Sequence, residues 1–243
     1  MAKIVINKKL LIIIPCYNEQ DNVLLLHEQL NKLHIENCSI TPLFINDHSS
    51  DNTKHRLEEI GADFLDNPIN LGIGGTVQLG LMYAFENGFD YAVQMDGDGQ
   101  HPPAQLNKII LPLMNNEGDV IIGSRFIDKE GFQSSALRRF GIDFFSNLNK
   151  FLVGISIKDS TSGFRAYNRK AISELINYYP DEYPEPEAIV YLVHKGLKIQ
   201  EVSVLMQERL AGVSSIRRFS SIYYMIKVTL NTLFLHLKMK FNG

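Results

Sequence analysis

Short, wholly apolar runs alternate with segments of helical spacing over the first two-thirds of this 243-residue chain. Residues 10–15 form one such run, as expected of a strand that is buried on both faces. The next segment repeats apolar residues at Val23, Leu26, Leu30 and Leu33, which is the spacing of one helix face. This alternation predicts an α/β fold in which a mostly parallel sheet is flanked by helices.

The same pattern gives the predicted order of elements. Strands are predicted over residues 10–15, 40–46, 62–65, 91–95 and 119–123. Helices are predicted over residues 21–33, 52–60, 73–87 and 103–115. The remainder is less regular: residues 125–139 are predicted as a loop, and later helices begin at Phe140, at Lys170 and within residues 183–187.

Polar clusters follow four of the predicted strands directly. They comprise residues 15–19, 46–51, 96–101 and 123–125. Ligands of parallel sheets bind outside the carboxyl ends of the strands. We therefore expect the four clusters to converge on one edge of the sheet and to form the functional site.

Two carboxylates one residue apart, Asp96 and Asp98, carry the strongest signal for chemistry. Placed after a buried strand, they can offer hard oxygen ligands to one divalent cation, and Mg²⁺ commonly uses one or two carboxylates together with waters and phosphate oxygens. A surface turn is the alternative, since Asp-Gly is common in turns. An EF-hand calcium loop fits poorly, because its required Gly falls on His101 and its terminal Glu on Asn107.

A glycine-rich segment, residues 70–75, precedes a predicted helix and suits phosphate groups at the helix N-terminus. Close packing of this loop on the sheet is the alternative. The segment is not a dinucleotide-binding fingerprint, because Val77 occupies the place of the third glycine and the segment follows the third strand. Asp47 and Asp51 suit hydrogen bonds to ribose hydroxyls or a base edge, with Asp47 favoured as the ligand. The alternative, which is compatible with the first, is that Ser50 or Asp51 caps the next helix.

Charged side chains in the second part of the chain have both functional and structural explanations. Arginines can bind phosphate through paired hydrogen bonds, although single arginines are often simply solvated. The candidates are Arg125, Arg138, Arg139 and Arg165. Glu185 and Glu187 are candidate catalytic acids at a helix start, where acids are electrostatically favourable without any function.

Taken together, residues 10–216 resemble family 2 glycosyltransferases with the GT-A fold. They resemble in particular the branch that contains dolichol-phosphate mannose synthase and bacterial polyprenyl-phosphate glycosyltransferases. The matching segments are residues 12–19 (IIIPCYNE), 45–53 (INDHSSDNT), 70–75 (NLGIGG), 94–103 (QMDGDGQHPP), 123–126 (GSRF), 159–169 (DSTSGFRAYNR) and 208–216 (ERLAGVSSI). Each segment is a weak signal by itself, but all seven in the family's order make the resemblance specific.

The resemblance implies a nucleotide-diphosphate sugar donor and a divalent cofactor, Mg²⁺ or Mn²⁺. The donor-binding residues are then expected to be Pro15, Tyr17, Asn18, Glu19, Asp47, Asn70, Gly75, Asp96 and Gly97. Asp98 and Gln100, together with Asp96, are expected to hold the cation. The phosphates and the acceptor are expected to contact Arg125, Arg138, Arg139, Ser162, Arg165, Arg209 and Ser214. Asn46 and His48 stand where relatives often carry Asp and Gly, which leaves the nucleotide open.

The resemblance also implies a single displacement that inverts the anomeric centre, with Asp96, Arg125, Glu185 and Glu187 as catalytic candidates. The expected acceptor is a polyprenyl phosphate or a lipid-linked glycan in cell-envelope glycan synthesis. A phosphate is already a nucleophile at neutral pH and needs no general base, whereas a sugar hydroxyl needs one. Glu185 falls where hydroxyl-using relatives place an Asp base, so transfer to a soluble sugar hydroxyl stays an alternative.

The C-terminal end of the chain is basic and amphipathic. From Glu208 onward there are six Lys or Arg and one acid, although the whole chain has a net charge of −3. Apolar residues recur at helical spacing from Ile222 to Leu237. We expect a catalytic domain over residues 1–216, and within residues 217–243 a helix that lies on the inner face of the cell membrane without crossing it. Packing of this helix on the core, or on a second subunit of a homo-oligomer, is the alternative.

Composition and local sequence narrow the classes of protein to which the chain can belong. Two cysteines without metal-ligand spacing, and an N-terminus without a secretory signal, favour a cytoplasmic protein over a disulfide scaffold. The acidic main body disfavours a nucleic-acid binder. A sugar nucleotidyltransferase is expected to carry a Gly-rich basic loop where this chain has residues 15–19. A non-catalytic nucleotide-sugar-binding scaffold is expected to lack Asp98 and Gln100, both of which are present.

Overall fold

The structure is a computed structural model that describes residues 7–128, 130, 136–180, 184–208 and 220–242, without the side chains of residues 136–138, 220–222 and 242. Within these ranges the strands are β1 (Lys8–Cys16), β2 (Cys38–Asn46), β3 (Phe64–Asp66), β4 (Tyr91–Gln94), β5 (Val120–Ser124), β6 (Arg165–Asn168) and β7 (Ile199–Ser203). The helices are α1 (Val23–Asn31), α2 (Thr53–Glu59), α3 (Gly72–Glu86), α4 (Leu106–Met114), α5 (Ala136–Val153), α6 (Arg169–Leu175), α7 (Pro184–His194) and α8 (Ser220–Asn242). A 3₁₀ turn, Pro103–Gln105, leads into α4.

All the strands join one sheet with the order β3-β2-β1-β4-β6-β5-β7. Neighbouring strands run parallel, except that β6 is antiparallel to both β4 and β5. The mostly parallel sheet and its five predicted strands are confirmed. Sequence patterning missed β6 and β7, because β6 has only four residues and every residue of β7 is half-buried, so neither forms an apolar run.

Strand β1 lies inside the sheet and divides the core into two layers. Leu10, Leu11, Ile12, Ile13 and Ile14 are all fully buried. Alternate residues of the strand belong to different apolar clusters, one on each face of the sheet. The wholly apolar run therefore is a strand covered on both sides, as predicted.

Helix α5 begins earlier than the apolar spacing predicts. It starts at Ala136 instead of Phe140, so the predicted loop over residues 125–139 is too long. Arg138 and Arg139 consequently lie in the first turn of a helix and not in a loop. The side chain of Arg139 is exposed, whereas that of Arg138 lies outside the described residues.

Helix α8 packs on the other described elements through one face. Val228, Thr232 and Leu235 are buried, and Leu235 joins the apolar cluster that contains residues of α7. The opposite face exposes Tyr223, Ile226, Leu230, Phe234, Leu237 and Phe241. No helix in the described part of the chain combines the length and the apolar character that a bilayer-spanning segment requires.

Candidate active site

Acidic side chains from three loops gather around the carboxyl end of β1. The Cys16 thiol there is buried, and burial raises its pKa well above the ordinary value. The negative charges of Glu19, Asp98, Asp51 and Asp96 raise that pKa further, so all four carboxylates lie near one sulfur atom. Hydrogen bonds join the same segments: the backbone N–H of Asp47 donates to the Cys16 carbonyl oxygen at 2.8 Å, and that of Gly97 to the Pro15 carbonyl oxygen at 3.2 Å. The polar clusters that follow β1, β2 and β4 therefore converge at this edge of the sheet, as predicted.

The turn that carries Asp96 and Asp98 is packed tightly against the end of β1. The backbone N–H of Gly97 donates to the Pro15 carbonyl oxygen at 3.2 Å. A Cβ on Gly97 would lie 2.8 Å from Cys16 Sγ and 2.9 Å from that carbonyl oxygen, so the position has no room for a side chain. Asp98 Oδ1 accepts from the backbone N–H of Gln100 at 3.0 Å, which closes the turn.

The donor set of this turn fits a hard divalent cation. Asp96 and Asp98 offer carboxylate oxygens and Gln100 an amide oxygen, which are the ligand types that Mg²⁺ and Mn²⁺ use. The described residues contain no group of three or more His, Cys, Asp and Glu side chains placed for a metal.

His101 is a site residue that sequence reasoning missed. Its Nδ1 accepts from the backbone N–H of Asp96 at 3.1 Å, and its ring stacks on Phe164 with centroids 4.9 Å apart. Burial lowers the pKa of His101 to about 4, so the imidazole is neutral at physiological pH. It therefore supports the turn formed by residues 96–100, which we call the acid turn. The motif QHPP contained this residue, but a histidine in a turn carries no periodic signal of such a role.

The backbone amides at the start of α3, which suit phosphate groups, bind the carboxylate of Asp47 in this structure. Asp47 Oδ1 accepts from the backbone N–H of Leu71 at 2.8 Å, and Oδ2 from that of Gly72 at 2.9 Å. Asn67 Nδ2 and Asn70 Nδ2 donate to the Oδ1 and the backbone oxygen of Asp47 at 2.9 and 3.0 Å. The carboxylate that was expected to bind ribose therefore holds the β3–α3 loop, because a helix N-terminus attracts the nearest anion.

Two more predicted donor-binding positions also have structural partners. Gly75 lies within α3, where a Cβ would lie 2.9 Å from that of Leu71, one turn earlier in the same segment. Asn18 has φ of 58°, and its Oδ1 accepts from the backbone N–H of Ser50 at 2.8 Å. These residues shape the loops around the site instead of presenting free polar groups to it.

The segment after β1 contains an exposed aromatic ring, Tyr17, and a buried carboxylate, Glu19. Tyr17 is 49% exposed at the edge of the site, as a ring that stacks on a base requires. Glu19 is buried, its Oε2 accepts from Asn22 Nδ2 at 2.6 Å, and its backbone N–H donates to Thr53 Oγ1 at 2.8 Å. Asp51 Oδ1 accepts from the backbone N–H of Thr53, the first residue of α2, at 2.9 Å. The N-cap residue of α2 is Asn52, not the predicted Ser50 or Asp51, and its side chain forms no cap hydrogen bond.

The two departures from the family pattern sit on the same loop. Asn46 Nδ2 donates to Asp66 Oδ1 at 2.7 Å, which ties the end of β2 to β3. His48 is exposed and has φ of 58°, a left-handed conformation that favours glycine and explains why relatives often carry Gly there. Asn46 ends β2 and His48 follows it, and β2 lies on the opposite side of β1 from β4, the strand that precedes Asp96.

Arg125 forms a buried ion pair that the sequence did not predict. Its Nε donates to Asp159 Oδ2 at 2.7 Å and its Nη2 to Asp159 Oδ1 at 2.6 Å. Asp159 is fully buried, and its backbone N–H donates to Glu201 Oε1 at 2.6 Å. Both charges of the pair act on His101, so the pair lies behind the acid turn. The arginine predicted to bind phosphate is thus already matched by a carboxylate.

Ser162 lies in the loop between α5 and β6, and Arg165 is the first residue of β6. Arg165 is 1% exposed, and its guanidinium donates to the backbone oxygens of Ser162 at 2.7 Å and Ser160 at 2.8 Å. Ser162 Oγ accepts from the backbone N–H of Phe164 at 3.2 Å. A buried guanidinium satisfies its donors with nearby carbonyls, and the phosphate contacts of the two residues stay a prediction.

The two glutamates in the first turn of α7 have different surroundings. Glu187 is buried and accepts a hydrogen bond from the Tyr178 hydroxyl. Glu185 is partly exposed, and its charge acts on Tyr167 and Tyr179, whose pKa values are raised mainly by burial. Glu185 is therefore linked to Tyr179, whose hydroxyl donates to Gln94 Oε1 at 3.2 Å, two residues before Asp96. Arg209 and Ser214 lie outside the described residues.

Comparison with known proteins identifies the family. The family model described as "Glycosyl transferase family 2" matches residues 11–176. The chain belongs to this family. The resemblance to family 2 glycosyltransferases is therefore confirmed, and so is the expectation that the protein is a glycosyltransferase enzyme.

Relatives and solved structures agree with this assignment. A UDP-N-acetylglucosamine–dolichyl-phosphate N-acetylglucosaminyltransferase of Methanococcus voltae is 29% identical over 82% of this chain and 85% of its own length. A polyprenol monophosphomannose synthase of Mycolicibacterium smegmatis is 27% identical over 85% and 80%. The crystal structure of glucosyl-3-phosphoglycerate synthase from Mycobacterium tuberculosis superposes with a TM-score of 0.70, at 15% identity over 95% of this chain and 80% of that one. This likeness confirms the GT-A fold.

Proposed function

We propose that this family 2 glycosyltransferase moves a sugar from a nucleotide-diphosphate sugar to a polyprenyl phosphate. The observation that carries the proposal is the convergence of Asp96, Asp98 and the exposed Tyr17 at one sheet edge. The relatives in Methanococcus voltae and Mycolicibacterium smegmatis are named for activity on dolichyl phosphate and on polyprenol, which supports this acceptor class.

The acid turn is the proposed site of the diphosphate and of Mg²⁺ or Mn²⁺. Asp96, Asp98 and Gln100 would hold the cation, which when bound neutralises the negative charge that develops on the leaving nucleoside diphosphate. Tyr17 would stack on the base. A related solved structure was obtained with Mn²⁺ and uridine diphosphate, which supports a divalent cofactor for this fold. One displacement at the anomeric carbon inverts its configuration.

A phosphate acceptor matches the surroundings of the two glutamates. A phosphate oxygen attacks without a general base, so neither carboxylate of α7 is required for proton abstraction. Glu187 is buried against Tyr178, which suits a structural acid. The alternative acceptor, a soluble sugar hydroxyl, is favoured by one observation: Glu185 is partly exposed in the first turn of α7, as a general base that reaches a substrate must be.

We infer that the enzyme works at an anionic membrane surface on the cytoplasmic side. The outer face of α8 and the exposed Phe140 and Phe151 of α5 form the proposed lipid-facing surface. Basic side chains adjoin these rings: Arg139 and Lys150 are the sequence neighbours of the two phenylalanines, and α8 contains three lysines and no acid. This mixture of aromatic and basic groups is typical of surfaces that bind anionic lipid headgroups.

The test is transfer from radiolabelled UDP- and GDP-sugars to undecaprenyl phosphate in liposomes with Mn²⁺, followed by extraction of lipid-linked product. The Asp98→Asn variant is expected to lose activity, while Asp63→Asn, an exposed carboxylate away from the turn, keeps it. Transfer by Asp98→Asn at the wild-type rate would contradict the assignment. A Glu185→Gln variant that keeps full activity supports the phosphate acceptor, and a collapse of its rate supports the hydroxyl.

A further inference from the structure

A buried amide lies directly behind the acid turn. Gln94 ends β4, two residues before Asp96, and is 0% exposed. The hydroxyl of Tyr179, from the segment after α6, donates to Gln94 Oε1 at 3.2 Å. Because Tyr179 binds the amide oxygen, the amide nitrogen is directed to the other side. That nitrogen is buried and has no hydrogen-bond acceptor within the part of the chain that the structure describes.

Gly163 shows where the amide nitrogen points. A Cβ built on Gly163 would lie 3.0 Å from Gln94 Nε2 and 3.3 Å from both carboxylate oxygens of Asp96. The amide donor and the carboxylate acceptor therefore border the same point. Gly163 keeps that point open, because any side chain there would wedge between the two groups.

A glutamine at this position needs an explanation. Its neighbours in β4 are the buried residues Ala92 and Val93, and an apolar side chain would satisfy the core equally well. A buried amide is costly unless its donors are used. Gln94 Nε2 and the Asp96 carboxylate border the same point beside Gly163, and a carboxylate oxygen is a suitable acceptor for an amide N–H.

We propose that Gln94 is a positioning residue for Asp96. Its amide, oriented by Tyr179, faces the Asp96 carboxylate beyond hydrogen-bond distance in this structure. A small shift of the turn would bring the two groups into a hydrogen bond that holds the carboxylate in the direction used for the cation and the donor. The inference rests on the proposed function, because it assigns Asp96 to that site.

Two variants and two matched controls test this role. Gln94→Met keeps the volume and removes the amide, and Tyr179→Phe removes only the hydroxyl that orients it. Gln78→Met removes a glutamine whose Nε2 donates to the Ile176 carbonyl oxygen at 3.2 Å, and Tyr191→Phe removes a hydroxyl that binds Glu174. Neither control residue contacts the acid turn in the hydrogen bonds that the structure gives them.

The first readout is structural and does not depend on activity. In crystals of Gln94→Met and Tyr179→Phe, the Asp96 carboxylate is expected to leave its wild-type orientation, while both controls keep it. If Gln94→Met fails to fold, Tyr179→Phe decides the question. An Asp96 carboxylate that keeps its orientation in both variants overturns the positioning role, whatever the activity.

The second readout is Mn²⁺ binding by calorimetry in the presence of UDP or GDP, together with kcat and KM for transfer. We expect about tenfold weaker Mn²⁺ binding and about tenfold lower kcat in Gln94→Met, which is typical of groups that orient a metal ligand. The KM for the polyprenyl phosphate is expected to stay unchanged. Unaltered Mn²⁺ affinity and kcat in both variants would contradict the role, whereas a wild-type protein that binds no Mn²⁺ with either nucleotide would contradict the proposed function instead.

Discussion

Asp47 Oδ2 accepts a hydrogen bond from the backbone N–H of Gly72 at 2.9 Å, so a carboxylate of the chain itself occupies the N-terminus of α3. The glycine-rich segment at this helix start suits a phosphate group, yet the amides of Leu71 and Gly72 already have an acceptor. A motif of this kind reports backbone amides that need an anion, and it does not report which anion they receive.

The first prediction concerns this helix cap. Asp47→Ala is expected to destabilise the protein by about 1–2 kcal/mol, because the amides of Leu71 and Gly72 lose their acceptor. Urea unfolding measures the loss, with the exposed Asp63→Ala as the control. An unchanged unfolding midpoint in Asp47→Ala would show that the carboxylate does not hold the loop.

The second prediction concerns the buried Arg125–Asp159 pair. Asp159→Asn is expected to cost about 3–5 kcal/mol, because it leaves a guanidinium buried without its counter-charge. The double variant Arg125→Met with Asp159→Leu is expected to lose less than the sum of the single variants. Lys54→Met, which breaks an ion pair with Asp66 on the surface, serves as the control and should change little. Additive losses in the double variant would refute the coupling.

The third prediction concerns the close contact at Gly97. Gly97→Ala is expected to destabilise the protein by about 1–3 kcal/mol and to disturb the acid turn, since the new Cβ would press on Cys16 Sγ at 2.8 Å. Gly141→Ala in α5, where nothing lies within 4 Å of the added Cβ, should be neutral or stabilising. Thermal unfolding of both variants compares them directly. Equal midpoints would mean that the turn yields to a methyl group.

The fourth prediction concerns pH and the contact between α7 and α8. His194 Nε2 lies 3.0 Å from His236 Nδ1, and burial, together with His236, lowers the pKa of His194 below its ordinary value of 6.5. The unfolded state therefore binds more protons below pH 6.5, so this contribution to stability is present above that pH and is lost as the pH falls.

Urea unfolding at pH 7.5 and 5.5 is expected to show a smaller pH-dependent loss in His194→Gln than in the wild type. His101, whose pKa is also lowered, adds loss of the same sign to both proteins, so their difference isolates the α7–α8 contact. His55→Gln, an exposed histidine on α2, should behave as the wild type does. An equal pH dependence in all three proteins would remove this histidine pair as a cause.

The fifth prediction separates the two faces of α8. Ile226→Ser with Phe234→Ser is expected to abolish flotation with anionic liposomes while leaving the thermal midpoint unchanged, because both side chains are exposed. Leu235→Ser is expected to lower the midpoint, since this side chain is buried. If the double variant instead converts a dimer to a monomer with flotation intact, the outer face binds a second copy and the membrane proposal fails.

The sequence by itself determined the layered sheet, the edge on which the site lies, and the family. Apolar strands such as residues 10–14 and polar clusters directly after them are local patterns, so they can be read without knowing which elements meet. The tertiary structure alone decided which polar groups face the site and which brace it. Asp47, Asn18 and Arg125 were all assigned to ligands, and each meets a partner from another loop, whereas Arg165 meets carbonyl oxygens of the segment just before it. Pairing between residues far apart in the chain leaves no periodic trace, because a buried charge or amide takes whichever partner the fold brings within reach.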